Sequence, residues 1–186
     1  RDGALREVTL QMLHKASELG RKHGHRTALV LLGSDLDPLV EGLSDRADTL
    51  VVCDDPRLAH FDPAVYKEVL AAVVADRAPM LVLLGHTPWS MDLAPALAVA
   101  TGLPLATDCV DVVLDSGRPR AVRQVYSGKV FARMAFRQAD GYLVTVRSGS
   151  HQKHAAAATP ATRTSSGAWR RKPSASSTAS AARASR

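Results

Sequence analysis

The chain has 186 residues, enough for a single domain with a sizeable core. Its formal net charge of +6 sits at one end: residues 151–186 carry seven of the 24 Lys and Arg and no acid, so 17 basic residues face all 18 acidic ones in 1–150. That near-neutral body argues against a nucleic-acid-binding fold, and no apolar run approaches the roughly 18 residues of a membrane span.

From Glu7 to His23 apolar residues fall at Val8, Leu10, Met12, Leu13, Ala16 and Leu19, the stripe of an amphipathic helix that Gly20 and Gly24 help to end. A strand is predicted to precede this helix. "TALVLLG" (27–33) is a continuous apolar run closed by glycine, which suits a strand covered on both faces. "DPLVEGL" reads as a brief helix and "DTLVVCDD" (48–55) as a second buried strand. A helix is predicted from Pro63 to Asp76, with Val65, Val69, Leu70, Val73 and Val74 inward. "PMLVLLG" (79–85) is a third buried strand, and "SMDLAPALAVATG" a helix capped by Ser90 and ended by Gly102.

Buried strand, glycine or acid, then helix, repeated, predicts an α/β fold: a three-layer Rossmann-like parallel sheet with helices on both faces. After Pro104 the pattern changes. Residues 109–149 alternate apolar and polar between Ser-Gly and Asp-Gly steps, which predicts an antiparallel β-rich meander with turns near Ser116–Gly117 and Asp140–Gly141. Residues 150–186 are Ala, Ser, Thr and Arg with almost no large apolar side chain, and are expected to be a disordered basic tail. Their composition is also what a shifted reading frame in a GC-rich gene would yield. The domain is therefore bounded at 1–149.

Candidate chemistry is sparse. His86, Ser90 and Asp108 would make a hydrolase triad on paper, but no G-x-S-x-G elbow holds the serine and its better use is as a cap. The "HGH" at 23–25 and "HQKH" at 151–154 bring no carboxylate or thiolate at a recognised spacing, so no metal site is predicted. Cys53 and Cys109, each among apolar neighbours, are expected to be buried thiols of a reducing cytoplasm. No P-loop or G-x-G-x-x-G follows any strand. The best geometric candidate for a cofactor is the turn after the third strand, with Gly85, Thr87, Ser90 and Asp92, at a strand's carboxyl end where open α/β sheets bind ligands. Asp92 competes there with any phosphate.

Four strings in order resemble the N-terminal domain of the electron transfer flavoprotein alpha subunit, over about residues 2–149. They are "DPRLAHFDPAVYKEVLAAVV", "MLVLLGHTPWSMDLAPALAVATGLPLATDCVDV", "RQVYSGKVFARM" and "LVTVRSG". The family usually has a basic residue at the position of Met91 and an arginine at Ala96. It often has proline at Gln124 and glycine or alanine at Ser127. The family also continues into a second domain that supplies most of an FAD site.

The resemblance implies a scaffold and docking domain of a heterodimeric FAD electron carrier, not a catalyst, with FAD held by the parent heterodimer rather than by this domain alone. Expected partners are the beta subunit, acyl-CoA or related dehydrogenases of fatty acid β-oxidation and a quinone-linked acceptor oxidoreductase, with no nucleic acid and no membrane insertion. Arg123, Tyr126, Gly128 and Lys129 are the expected interface residues: an aromatic anchor, a glycine for the bend, and two cations to pair across the contact. A free-standing adenine-nucleotide-binding module using the 85–92 turn is the alternative reading, and an inactive truncated copy a third.

Overall fold

The computed structural model describes residues 5–43, 46–150 and 162–165. Helix α1 (Glu7–His23) buries Val8, Met12, Leu13 and Leu19 and stops at Gly24, whose φ of 71° needs no Cβ relief. Strand β1 (Ala28–Gly33), helix α2 (Asp37–Glu41), strand β2 (Thr49–Asp54), helix α3 (Pro63–Arg77), strand β3 (Leu81–His86) and helix α4 (Pro88–Thr101) follow within a few residues of their predicted bounds. A 3₁₀ turn at Pro56–Leu58 leads toward α3.

The second half is built from β4 (Leu105–Asp115), β5 (Arg118–Val125), β6 (Val130–Ala135) and β7 (Tyr142–Arg147). Strands β4, β5 and β6 form the expected antiparallel meander. Ser116 and Gly117, at φ 50° and 75°, make the two-residue turn between β4 and β5. The expectation that the meander continues through "LVTVRSG" is corrected. Strand β7 crosses back and lies between β3 and β4, parallel to both, so the sheet order is β3-β7-β4-β5-β6. The physical reason is visible in its composition: Tyr142 to Val146 are all buried, and a strand covered on both faces belongs in the middle of a parallel sheet.

Strands β1 and β2 pair in parallel as a separate sheet, extended by β8 (Thr162–Ser165) beside β2. Of the segment 150–186, only Ser150 and those four residues are described; the rest, including the "HQKH" histidines, lies outside the described residues. The two sheets share no ladder among the described residues, and β1 and β3 each keep one unpaired edge. Helices hold them together. On one face α1 places Leu13 with the β1–β2 core and Met12 and Leu19 with the β4–β7 core. On the other, α3 sets Val69 and Val73 against β2 and Leu70 against Leu97 and Leu143.

Candidate functional site

The carboxyl ends of the parallel strands carry three turns. After β1, the backbone N–H groups of Asp35 and Leu36 donate to the Asp54 carboxylate at 3.0 and 2.9 Å. After β2, Asp55 takes the backbone and guanidinium of Arg57, and these bonds pull its carboxyl down to about 2. After β3, the expected Ser90 cap is corrected by three residues: α4 starts at Pro88, and Thr87, extended at φ −131°, is the cap. Proline favours the first helical position, which displaces the cap to its neighbour. Ser90 instead closes a capping box, accepting from Thr87 N at 2.8 Å and donating to the Gly85 carbonyl at 2.6 Å.

These contacts decide what the 85–92 turn does locally. Ser90 is buried and its hydroxyl is used within the turn, while Asp92 is exposed two residues further on. Gly85 lacks a Cβ because α1 lies on it: a Cβ there would stand 2.3 Å from Val8 Cγ2. The turn is a helix cap and a helix-packing point.

A polar cluster that the sequence did not single out as a unit forms beside it. Strand β4 changes register against both neighbours between Ala106 and Asp111, and within this bulge Asp108 adopts φ 58°. Bulges re-aim side chains, and this one turns the Asp108 carboxylate toward Arg147 on β7. Both Nε and Nη2 of Arg147 donate to it, the latter at 2.8 Å. His86 Nε2 stands 3.7 Å from Asp108 Oδ1, and Arg123 lies 4.0 Å from Oδ2. Fully buried Thr145 accepts from Asp108 N at 3.1 Å and lies 2.9 Å from His86 Nδ1. Asp108 and His86 therefore do meet, as the paper triad had them, but the hydroxyl beside the histidine is Thr145, sealed from any substrate, and Ser90 is engaged elsewhere. The arrangement positions; it does not attack.

The cluster extends outward through one residue. Arg147 Nη1 donates to Gln124 Oε1 at 3.4 Å, and Gln124 Nε2 donates to the Gly128 carbonyl at 3.4 Å. Those bonds brace the β5–β6 turn, in which Tyr126, Ser127 and Gly128 are all left-handed, at φ 51°, 51° and 88°. Two non-glycine residues in that region cost conformational energy, about 1–2 kcal/mol each. The bracing and the Lys129 N to Tyr126 O bond of 3.1 Å offset it. Tyr126 is 78% exposed, and its hydroxyl has no partner among the described residues; Val130 and Phe131 beside it are 47% and 62% exposed. Of the expected interface residues, then, Tyr126, Gly128 and Lys129 share one turn, and Arg123 stands at the polar cluster that supports it. Asp108, Gln124, Thr145 and Arg147 were missed; a buried threonine inside "YLVTVR", followed by a charge, was their signal.

The Arg147 hydrogen bonds hold the Asp108 carboxyl below its ordinary value, against the opposing effect of burial. A carboxyl lowered from about 3.9 contributes stability that is whole above about pH 5 and is lost as the pH falls through its folded value, below about 4. Asp108→Asn is expected to cost ~1–2 kcal/mol at neutral pH, with Arg147 half-exposed and screened, and the gap to wild type should narrow as the pH falls below about 4. Urea midpoints at both pH values check this.

Cys53 and Cys109 are both buried and unbridged, and burial pushes the Cys109 thiol up to about 11, which makes it unreactive. Among the described residues no group of three or more His, Cys, Asp or Glu gathers as a metal site, and no helix is long and apolar enough to cross a membrane.

Comparison with known proteins gives one answer. The model of the electron transfer flavoprotein domain matches residues 1–168. The electron transfer flavoprotein subunit alpha of Clostridium acetobutylicum is 31% identical over 156 residues, covering 82% of this chain and 46% of the relative. That of Bacillus subtilis is 31% identical over 136 residues, 72% of this chain and 41% of the relative. A protein of Anaerotignum propionicum named acryloyl-CoA reductase electron transfer subunit beta is 28% identical over 119 residues, 63% of this chain and 32% of its own length. The chain spans less than half the length of the curated relatives it matches.

Proposed function

Because the chain belongs to the electron transfer flavoprotein domain family, we propose that it is the docking and scaffolding portion of an FAD electron carrier, gripped by a beta subunit through the β5–β6 turn. The observation that supports this most is the braced turn itself. A partly buried network that starts at fully buried Thr145 and runs through Asp108, Arg147 and Gln124 holds an exposed tyrosine in a costly backbone conformation. Strain kept at a surface by internal hydrogen bonds marks a segment that works there.

The parent's flavin fits poorly on these residues. A dinucleotide phosphate binds backbone N–H groups at a strand's carboxyl end, but at β1 those of Asp35 and Leu36 are held by Asp54, and at β3 those of Thr87 and Ser90 are held within the capping box. No electron-transfer step is therefore routed through this chain's own side chains. In the proposed setting the complete heterodimer collects electrons from acyl-CoA or related dehydrogenases in the cytoplasm. It delivers them to a quinone-linked acceptor, and this part keeps the flavin-bearing part on its base.

The experiment is co-purification with a beta subunit. Gly128→Val imposes a β-branched side chain on a φ of 88°, where its Cβ would also meet Gln124 Nε2 at 3.2 Å. Tyr126→Ala removes the anchor and leaves the turn. Each is expected to weaken assembly about tenfold or more, read by sedimentation. Undiminished assembly of both variants defeats the proposal, as does a stoichiometric yellow complex of the 186-residue chain with added FAD.

A further inference from the structure

Residues 118–137 contain six cations, Arg118, Arg120, Arg123, Lys129, Arg133 and Arg137, and no Asp or Glu. Arg120 finds Asp115 at 3.6 Å and Arg123 faces an Asp108 already taken by Arg147. Lys129, Arg133 and Arg137 have no carboxylate within ion-pair distance among the described residues. These cations lie along β5, the β5–β6 turn and β6 with the residues just after it; Arg133 is on β6 itself, the last strand of the five-stranded sheet, whose outer edge is open among those residues.

Proteins usually protect such an edge with proline, a bulge, shortness or charged side chains. Strand β6 has a single charge, Arg133, and none of the others. Its six residues pair with β5 without interruption, and it displays Val130 and Phe131. Side chains alternate between the two faces, so Phe131 and Arg133 share one of them. On that face Phe131 borders a shallow cleft of about 440 Å³ lined also by Val110, Val122, Lys15 and Asp111.

We propose that the open edge of β6 receives an extended acidic strand from a protein partner. Main-chain pairing supplies the affinity of strand addition, and alternate side chains read the face. An apolar residue enters the cleft beside Phe131 and a carboxylate two positions along meets Arg133. The cations also draw the acidic segment in, a contribution that salt screens. The inference deepens the docking reading, on which it rests, by stating what kind of segment docks and by which atoms.

The test uses the full chain and, as probe, a short peptide of alternating Glu and Val. A peptide of the same composition with a central proline and a single-stranded oligonucleotide serve as comparisons. The alternating peptide is expected to bind and to slow hydrogen exchange at every other β6 amide. Arg133→Glu, at an exposed position, should weaken it about tenfold, and the proline peptide should fail.

Unchanged β6 exchange, equal binding of the proline peptide, or equal protection by the oligonucleotide each overturns the inference. The two readings separate in the assembled heterodimer. If Tyr126→Ala and Gly128→Val break assembly while wild-type β6 amides exchange as in the free chain, docking stands and strand addition falls. If β6 amides are protected by the peptide while both variants assemble normally, strand addition stands as a separate activity and the docking proposal falls.

Discussion

Leu143→Ala is expected to lower the stability of the fold by about 2–5 kcal/mol, the largest loss of any single truncation considered for this molecule. Leu143 is fully buried on β7, the strand that pairs with β3 on one side and β4 on the other. Its side chain belongs to the cluster of Leu70, Leu93, Ala94 and Leu97, so it joins α3, α4 and the sheet at one point. Regular strands on both sides limit how far the backbone can relax into the space left behind, which places the cost toward the upper half of the range. Since domains of this size have only about 5–15 kcal/mol to lose, urea denaturation should show a marked fall in midpoint. A loss under ~1 kcal/mol would mean that β7 is not an interior strand between β3 and β4.

Gly85→Ala carries the second large effect and discriminates between two roles for one residue. As a ligand-cradle glycine it would tolerate alanine in stability and lose only binding. As the point where α1 rests on β3 it cannot, because the new Cβ would meet Val8 Cγ2 at 2.3 Å and Cγ1 at 2.9 Å. Overpacking of this kind costs about 1–3 kcal/mol. Val8→Ala removes both offending atoms at the price of a smaller cavity, so the double variant should be more stable than the sum of the two single losses. A double-mutant cycle by urea denaturation measures that coupling, expected between 0.5 and about 2 kcal/mol. Strict additivity would return Gly85 to the ligand reading.

The α/β half was legible because each of its elements declares itself locally. "TALVLLG", "TLVVCD" and "MLVLLG" are apolar without interruption, a pattern that only doubly covered strands sustain, and the α1 stripe has helical spacing throughout. The place of β7 was not legible. Its buried character can be read from "YLVTVR", but which two strands it separates is set by long-range packing against Leu97 and Val112 and by no neighbour in sequence. Ser90 was misplaced by three residues because Ser and Thr both cap helices and only Pro88 decides between them. The polar cluster stayed hidden for a different reason: Asp108 reaches Arg147, 39 residues away, only through a bulge, and no local pattern announces a register shift. Tyr126 shows the same limit from the other side. An aromatic in an alternating segment suggests burial, yet a turn of three left-handed residues carries its ring out into solvent.

The bare rails of β1 and β3 have a mechanical meaning. The β1–β2–β8 leaf and the five-stranded leaf share no ladder among the described residues and are joined by side chains: those of α1, α3 and α4, with Val30 and Leu32 of β1 in the same core as Val82 and Leu84 of β3. The unpaired edges of β1 and β3 each keep a row of main-chain donors and acceptors that no ladder takes up among the described residues.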